Sequence, residues 1–550
     1  MKFQFFIGLF LFFSLAFAQK KNDSIVEFHQ FKIDENRYTY DFQKKITSDS
    51  TVYQVLDSLK SIGYYTLHLD SIRGQKVFLN KGKMYRKMWI KNDTIFNQKD
   101  DWFAIQNLDS LTQSVQMKYA QKGFPFSEIK VSPLGYRNNE VQLQLELHLF
   151  PERKIDKIQV VGYEKLSKAY IKNHLGLKIG ETYNEKQLIE LSDRLSLNPL
   201  IEEEKPAQTL FNTDSTTVYL YVKKVRSNLF DGILGFGNDE NGDFQLNGNV
   251  LIELNNNFNA MEKIRLNWIA TADKSTTLDF NLRLPALFQT KFGSESSFNM
   301  YKKDSVYVNL KLEERLFYQL NLNANLGLNL SYENSNFVLD KHPDLALLYD
   351  DYDKTGMGLS YQYFLPSKNR LLEGRSKLFL SGKTLNKKST EFLETTNAFL
   401  DHKSRQYEVG VDAFHLFQLH PQHLVKAKVE AFGLFGDDQK LALNELYRIG
   451  GFNSLRGFNE ESISASVYGI SSLEYRFMPN EDFYLSAFGD YGFVENSSMD
   501  SSQNIFGAGV GFSFLTQLGI FNLSYAVGKQ NDMGFDFKNS KIHFGILTRF

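Results

Sequence analysis

Two kinds of hydrophobic spacing divide the chain near residue 228. After it, apolar and polar positions alternate in segments about ten residues long. Leu322, Ala324, Leu326, Leu328, Leu330 and Tyr332 alternate with Asn323, Asn325, Gly327, Asn329 and Ser331. Val306, Val308, Leu310 and Leu312 alternate with Tyr307, Asn309, Lys311 and Glu313, and Val425, Ala427 and Val429 with Lys426, Lys428 and Glu430. A period of two predicts strands with one face against something apolar and the other against water. Ten tilted residues span a bilayer core. About sixteen strands are predicted, starting near 229, 244, 262, 276, 290, 306, 322, 354, 373, 406, 423, 465, 483, 506, 519 and 541. An even number returns the last strand to the side where the first began. Connections after odd strands are longer and polar (334–353, 385–404, 437–464), and those after even strands shorter (418–420, 479–482). Long external loops and short periplasmic turns have this asymmetry.

Before residue 228 the spacing switches between helix and strand. Val55, Leu56, Leu59 and Ile62 form a helical stripe ending at Gly63; strands follow at 64–69 and, after a turn at Gly74, at 76–79. A strand at 85–90 precedes a helix with Ile105, Leu108, Leu111, Val115 and Tyr119 on one face, which stops at Gly123. Strands follow at 129–131 and 141–149, the latter half-buried by its alternation. A third copy has a strand through Ile158, Val160 and Val161 that turns at Gly162, a helix over 167–175, a second helix marked by Leu188, Leu191 and Leu195, and a closing strand at 216–222. The predicted order is strand, helix, helix, strand, strand, repeated at roughly 65 to 75 residues. Residues 19–48 are polar and carry no readable pattern.

Composition narrows the class. A chain of 550 residues exceeds one ordinary domain. Mean hydropathy is −0.35, as in a soluble protein, yet there are 49 Phe, 28 Tyr and 3 Trp. That combination suits a membrane β-barrel, whose strands average apolar with polar and whose rims carry aromatic girdles. The net charge of −1 gives no reason to expect a nucleic-acid partner. Zero cysteines exclude disulfides, thiolate metal sites, cysteine nucleophiles and a lipidated cysteine. Residues 1–18 read as a signal peptide: Lys2, an apolar run, then Ala16-Phe17-Ala18. No later apolar run is long enough for a transmembrane helix.

The expected layout is signal peptide 1–18, modules at 19–82, 83–151 and 152–227, and a barrel over 228–550. No HExxH, G-x-S-x-G or phosphate-binding loop is present. His420 and His423 bracket a predicted turn, and Asp231, Asp350 and Asp351 lie outside any EF-hand pattern. No enzymatic activity, cofactor or metal is assigned.

One loop stands out. Residues 448–458 read RIGGFNSLRGF, with Gly450, Gly451 and Gly457 free to take positive φ. The segment falls between predicted strands eleven and twelve. On strand twelve Leu473, Tyr475 and Phe477 share the lipid face, which turns Glu474 inward. On strand thirteen Leu485, Ala487 and Tyr491 face out, so Phe488, Asp490 and Gly492 face in. An arginine withdrawn from water needs ionic partners, and a guanidinium can meet carboxylates bidentately. At the end of the chain Ile542, Phe544, Ile546, Thr548 and Phe550 share one face, with Gly545 and Arg549 on the other.

These residues carry a family resemblance. YAQKGFPFSEI and VVGYEKLSKAYI resemble POTRA domains, periplasmic βααββ modules that precede certain outer-membrane barrels. GGFNSLRGF resembles the loop motif of the BamA/TamA-like superfamily, with Leu455 where Val or Ile is commoner, and Phe488 to Gly492 match its Phe-x-Asp-x-Gly pattern. The resemblance implies an α+β POTRA array followed by a transmembrane antiparallel β-barrel of about sixteen strands. It implies a loop folded into the lumen, with a lock made of Gly450, Gly451, Arg456, Gly457, Phe458, Glu474, Phe488, Asp490 and Gly492. Phe544, Gly545, Ile546 and Phe550 resemble the closing-strand signal for barrel assembly. Room for three modules resembles the TamA-like layout; BamA-like members generally carry five, and two-partner secretion transporters two with a plug helix.

The implied function is an outer-membrane assembly factor or translocase that inserts or exports unfolded client proteins. The implied partners are the outer-membrane bilayer, client outer-membrane or secreted proteins, and a periplasmic or inner-membrane protein. The alternatives are a two-partner-type secretion transporter and a passive pore. The first strand, with Gly232, Gly235 and Gly237, is expected to pair weakly with the last.

Overall fold

The computed structural model describes residues 28–32, 37–42, 56, 59–60, 63–73, 76–91, 101–137, 140–238, 244–271, 274–338, 348–393, 398–437, 441–452, 454–516, 519–530 and 540–549. The predicted signal peptide lies outside them. Two compact units divide the chain: residues up to Arg153 with Thr182–Lys186, and Lys154–Glu181 with everything from Gln187 onward.

The first unit holds two four-stranded sheets. Strands β1 (Phe28–Lys32), β2 (Arg37–Phe42), β3 (His68–Arg73) and β4 (Lys76–Asn80) pair antiparallel in the order β1-β2-β4-β3. The polar stretch without a readable pattern thus contains two strands, and the expected βααββ order is not followed here. Leu56 and Leu59 are helical as expected, whereas Tyr65 and Thr66 form a turn and the predicted strand begins only at His68. Leu59, Val77 and Leu79 form a small core, with Tyr64 and Leu67 at its edge.

In the second sheet β5 (Lys87–Lys91) lies between β6 (Trp102–Ile105) and β8 (Glu140–His148), and β7 (Glu128–Arg137) closes the order β6-β5-β8-β7. β5 and β8 run parallel. Strand β6 stands in place of the expected first helix, and Ile105 pairs with Met88 instead of lying on the helix face. The reason is local. Asn107 is the helix cap, its Oδ1 accepting from Ser110 N at 3.0 Å, so the helix Leu108–Ala120 begins after Ile105. Leu108 and Val115 pack on Met88, Ile90, Val141, Leu143 and Leu145.

The second unit opens with β9 (Lys157–Gly162), the helices Lys168–Asn173, Glu185–Ile189 and Leu191–Ser196, then β10 (Ile201–Phe211) and β11 (Thr216–Lys224). The expected second helix, marked by Leu188, Leu191 and Leu195, is broken into the two short helices Glu185–Ile189 and Leu191–Ser196; otherwise order and sheet (β10-β11-β9, with β9 parallel to β11) follow the expected strand-helix-helix-strand-strand pattern. This module touches barrel turns. Tyr163 OH donates to Asn259 Oδ1 at 2.7 Å and accepts from Asn256 Nδ2 at 3.0 Å, and Lys224 Nζ donates to the Asn256 carbonyl at 2.6 Å.

A closed antiparallel barrel of sixteen strands follows. Its strands are β12 (Leu229–Asn238), β13 (Phe244–Asn255), β14 (Lys263–Ala270), β15 (Ser275–Leu284), β16 (Phe292–Lys303), β17 (Tyr307–Gln319), β18 (Ala324–Phe337), β19 (Asp351–Leu365), β20 (Ser376–Leu393), β21 (Ala398–His420) and β22 (His423–Gly436). Two short strands, β23 (Tyr447–Ile449) and β24 (Ile463–Ala465), pair with each other inside the next loop. The barrel resumes with β25 (Val467–Asn480), β26 (Phe483–Asn496), β27 (Ser501–Leu515), β28 (Gly519–Gln530) and β29 (Lys541–Arg549).

The alternation works as read. Leu326, Leu328 and Leu330 stand 40–48% exposed on the outer face, while Asn325 and Asn329 are buried within. An apolar belt of this kind suits lipid contact. No helix among the described residues is long and apolar enough to cross a membrane.

One connection differs from the expectation. Residues 385–404 are strand for most of their length, because β20 and β21 stay paired out to Leu393↔Ala398. Their charged and hydroxyl residues read as loop, yet Leu385, Lys387 and Ser389 are buried inward-facing positions. The inner face of this long hairpin covers lumen contents rather than water.

Candidate functional site: the lumenal loop

Between β22 and β25 the chain turns into the lumen. Ile449, Leu455, Ile463 and Ala465 from this loop pack with Tyr468, Ile470, Val494 and Ile505 of the wall. Gly450, Gly451 and Gly457 all take positive φ, at 115°, 98° and 94°. The turn between them is closed by Gly450 N donating to Ser454 Oγ at 2.9 Å and Gly451 N to the Leu455 carbonyl at 3.1 Å. Gly457 also lies flat on β28: a Cβ there would meet the Gly528 nitrogen at 2.6 Å. The wall reciprocates. A Cβ on Gly507 would meet the Arg456 carbonyl oxygen at 2.2 Å, and one on Gly528 the Phe458 ring at 2.7 Å.

Arg456 is thereby delivered to the wall formed by β25 and β26. Its Nε and Nη2 donate to the two oxygens of Asp490 at 2.9 and 2.7 Å, a bidentate pairing. Its Nη1 donates to Glu474 Oε2 at 2.7 Å and its Nη2 also to Ser472 Oγ at 2.8 Å. Its backbone N–H reaches Asp490 Oδ2 at 3.2 Å. The guanidinium lies over the Phe488 ring, 3.5 Å from its centroid. The three residues of the Phe-x-Asp-x-Gly stretch divide the contact between them. Phe488 carries the cation's face, Asp490 takes its edge, and Gly492 lies beside Leu455, where a Cβ would still fit in ordinary contact at 3.6 Å. The arginine side chain is 11% exposed and Asp490 is fully enclosed. Removing one partner from so enclosed a pair costs roughly 3–5 kcal/mol, because the remaining charge is left buried.

Four participants escaped the sequence reading: Ser472, Arg476, Glu373 and Lys426. Ser472 Oγ donates to Asp490 Oδ1 at 2.6 Å. Arg476 Nε donates to Glu474 Oε1 at 2.6 Å, so Glu474 is shared by two arginines. Glu373 then joins Arg476 at 3.3 Å and Lys426 at 2.5 Å. The result is a line of alternating charge with three cations and three anions. Arg476 and Lys426 sit at inward positions of their strands, a signal that alternation could have supplied; Glu373 lies in a turn that gave none.

The same loop has a second fastening. Glu445, in the short helix Leu443–Glu445, is buried with Lys354 Nζ at 2.7 Å, Lys387 Nζ at 2.6 Å and Gln406 Nε2 at 2.8 Å. Burial by itself pushes this carboxyl up, but the two lysines and the amide overcome it and hold it at about 2. The neighbouring Asn444 accepts from Asn309 Nδ2 through its carbonyl at 2.6 Å and donates to Ser335 Oγ at 2.7 Å. Arg448 lies over Tyr301, 3.4 Å from the ring centroid. One loop is thus held by β16 to β21 on one side of the lumen and by β25 to β28 on the other.

Among the described residues the seam is the joint of the barrel with the fewest paired residues. β12 pairs with β13 from Leu229↔Glu253 to Asn238↔Phe244, but among the described residues it pairs with β29 only at Leu229↔Arg549 and Phe230↔Thr548. A lumen cavity of about 1380 Å³ reaches from Arg456, Glu474 and Arg476 to Leu229 and Leu523 beside this seam. Phe544, Gly545 and Ile546 lie on β29; Phe550 is outside the described residues. Asp350 pairs with Lys387 at 2.9 Å, and Asp351 caps Phe337 N at 2.8 Å. Among the described residues no group of three or more His, Asp or Glu side chains is gathered to hold a metal ion.

No curated protein matches this chain. Among solved structures, BamA from Haemophilus ducreyi lacking POTRA domains 1-3 is similar with a TM-score of 0.49 and 15% identity, over 84% of this chain and 98% of that one. CdiB from Acinetobacter baumannii has a TM-score of 0.48 and 16% identity over 83% and 85%. CdiB from Escherichia coli has 0.48 and 14% over 91% and 98%. The Omp85 superfamily domain matches residues 233–550, more than half of the sequence and nearly all of the barrel, and the chain therefore belongs to the Omp85 superfamily.

Proposed function

We propose that this outer-membrane barrel assembles or exports client proteins by opening between β12 and β29, and that the residues around Arg456 lock the lumenal loop while it does so. The observation that carries this reading is the two-residue pairing of the seam beside fully paired neighbours. An unpaired strand edge in a bilayer is costly and templates a further strand. The client is an unfolded outer-membrane or secreted protein. The periplasmic modules offer edge strands, such as β7 and β10, on which an extended segment can add by backbone hydrogen bonds. A periplasmic or inner-membrane partner protein would deliver the client.

A two-partner-type secretion transporter would pass its client through the lumen. The loop with Leu455 and Arg456 occupies that route, which favours the seam. A passive pore would conduct solutes steadily, and a lumen crossed by a doubly fastened loop argues against it. Depletion of the protein, followed by quantitative comparison of outer-membrane protein levels, tests the proposed function. A selective fall in other barrels or in one secreted protein is expected; unchanged levels would exclude the assembly role.

A further inference from the structure

The connection from β19 to β20, residues 366–375, lies at the end of the barrel where β12 begins. It folds inward instead of bridging two neighbouring strands along the rim. Leu371 is 6% exposed, packed in a cluster with Leu416 of β21, Leu424 of β22, Met478 of β25, Tyr484 of β26 and Ile520 of β28. The turn is therefore gathered against strands spread over nearly half of the wall. Within it Leu371 N donates to Asn369 Oδ1 at 2.7 Å, and Asn369 Nδ2 ties it to the β25–β26 turn by donating to the Glu481 carbonyl at 2.9 Å. Leu371, Leu372 and Glu373 also line the lumen cavity that reaches Arg456.

We propose that residues 366–375 form an internal plug at the periplasmic mouth, and that Glu373 is a positioning residue coupling its seating to the lumenal loop. Glu373 Oε1 accepts from Arg476 Nη2 and its Oε2 from Lys426 Nζ. Arg476 and Arg456 share the two oxygens of Glu474. If Arg456 leaves, Glu474 can turn wholly to Arg476, and the pull of Arg476 on Glu373 weakens. If Glu373 is neutralised, Lys426 and Arg476 lose their common anion, and both are largely enclosed, with 15% and 3% of their side chains exposed. Coupling of this kind is reciprocal: whatever loosens one end loosens the other. A client opening the loop side would thereby also unseat the plug.

The chain has no cysteine, so Leu371→Cys places a single reactive thiol under the plug. Full-length protein in lipid vesicles is treated with a membrane-impermeant maleimide from the periplasmic face, with exposed Lys368→Cys as the fast control and heat-modifiable gel migration as the check on folding. Leu371→Cys should label at least tenfold more slowly than Lys368→Cys. Adding Glu373→Gln should speed it about tenfold, and Arg456→Gln, at the other end of the charge line, should speed it several-fold. Single-channel conductance of Glu373→Gln in a planar bilayer should rise by the same opening. Equal labelling of Leu371→Cys and Lys368→Cys would overturn the plug. Unchanged labelling in Arg456→Gln would overturn the coupling. If Glu373→Gln fails to fold, Lys426→Met replaces it, removing the other side of the same pair, with the same expected acceleration. None of these readouts depends on a client, so failure of the plug is distinguishable from failure of the assembly reading.

Discussion

Glu445 and Arg456 lie on the same lumenal loop and are clamped to different walls, Glu445 by Lys354 and Lys387 of β19 and β20, Arg456 by Glu474 and Asp490 of β25 and β26. The charges are opposite in sign and each is matched by buried partners of the other sign. The loop is consequently a strut across the barrel, and its two ends can be loosened separately.

Arg456→Ala leaves Asp490 and Glu474 enclosed without their shared cation. The loss should be roughly 3–5 kcal/mol locally, read as a drop in the temperature at which the barrel loses its compact gel migration. Arg456→Lys keeps the charge but not the planar fork or the full stacking on Phe488, and should fall between. Client assembly should follow the same ranking.

The far clamp has a pH window. The Glu445 carboxyl is held at about 2, below its ordinary 4.5. Its stabilising contribution is therefore fully present above pH 4.5 and is lost as the pH falls toward 2. A thiol introduced at buried Leu446 should stay protected from a pyridyl disulfide down to about pH 4 and become reactive below it. Glu445→Gln should expose the same thiol at neutral pH; protection unchanged in that variant would show that the clamp does not hold the loop.

Much of this was legible in residue order. The barrel strands announce themselves because lipid and water impose opposite demands on alternate residues, and each predicted start lies within eight residues of the observed one. Glu474 and Asp490 could be oriented by the same parity. The long hairpin of β20 and β21 was hidden because its inner face meets a charged loop, so Lys387 looks like a solvated residue when it is a buried partner of Glu445. Glu373 was hidden because turns have no parity to read. The first module was hidden because polar side chains conceal strands whose pairing is made by the backbone.

Gly507→Val tests the groove that receives the loop tip. The new side chain would occupy the position of the Arg456 carbonyl, so the tip must lift. The variant should approach Arg456→Ala in thermal stability, although no charge is altered. Gly489→Ala, whose Cβ meets nothing on the same sheet, is the control and should be close to neutral.

The seam can be closed covalently. Leu229 and Arg549 are direct partners across it, so Leu229→Cys with Arg549→Cys should form a single disulfide in a chain without other cysteines. Oxidised protein should lose client assembly and reduced protein regain it. Full activity of the oxidised form would sink the opening mechanism.

The hairpin of β20 and β21 has a consequence of another kind. β21 is 23 residues long, and about ten tilted residues suffice to cross the hydrocarbon. The remainder projects beyond the outer leaflet. On β20 the outer face there carries Asn386 and Lys388, while Leu385, Lys387 and Ser389 are turned inward, Leu385 and Lys387 against the loop. Substitutions along this segment should therefore be tolerated with a period of two, every second residue free to change while its neighbours stay fixed.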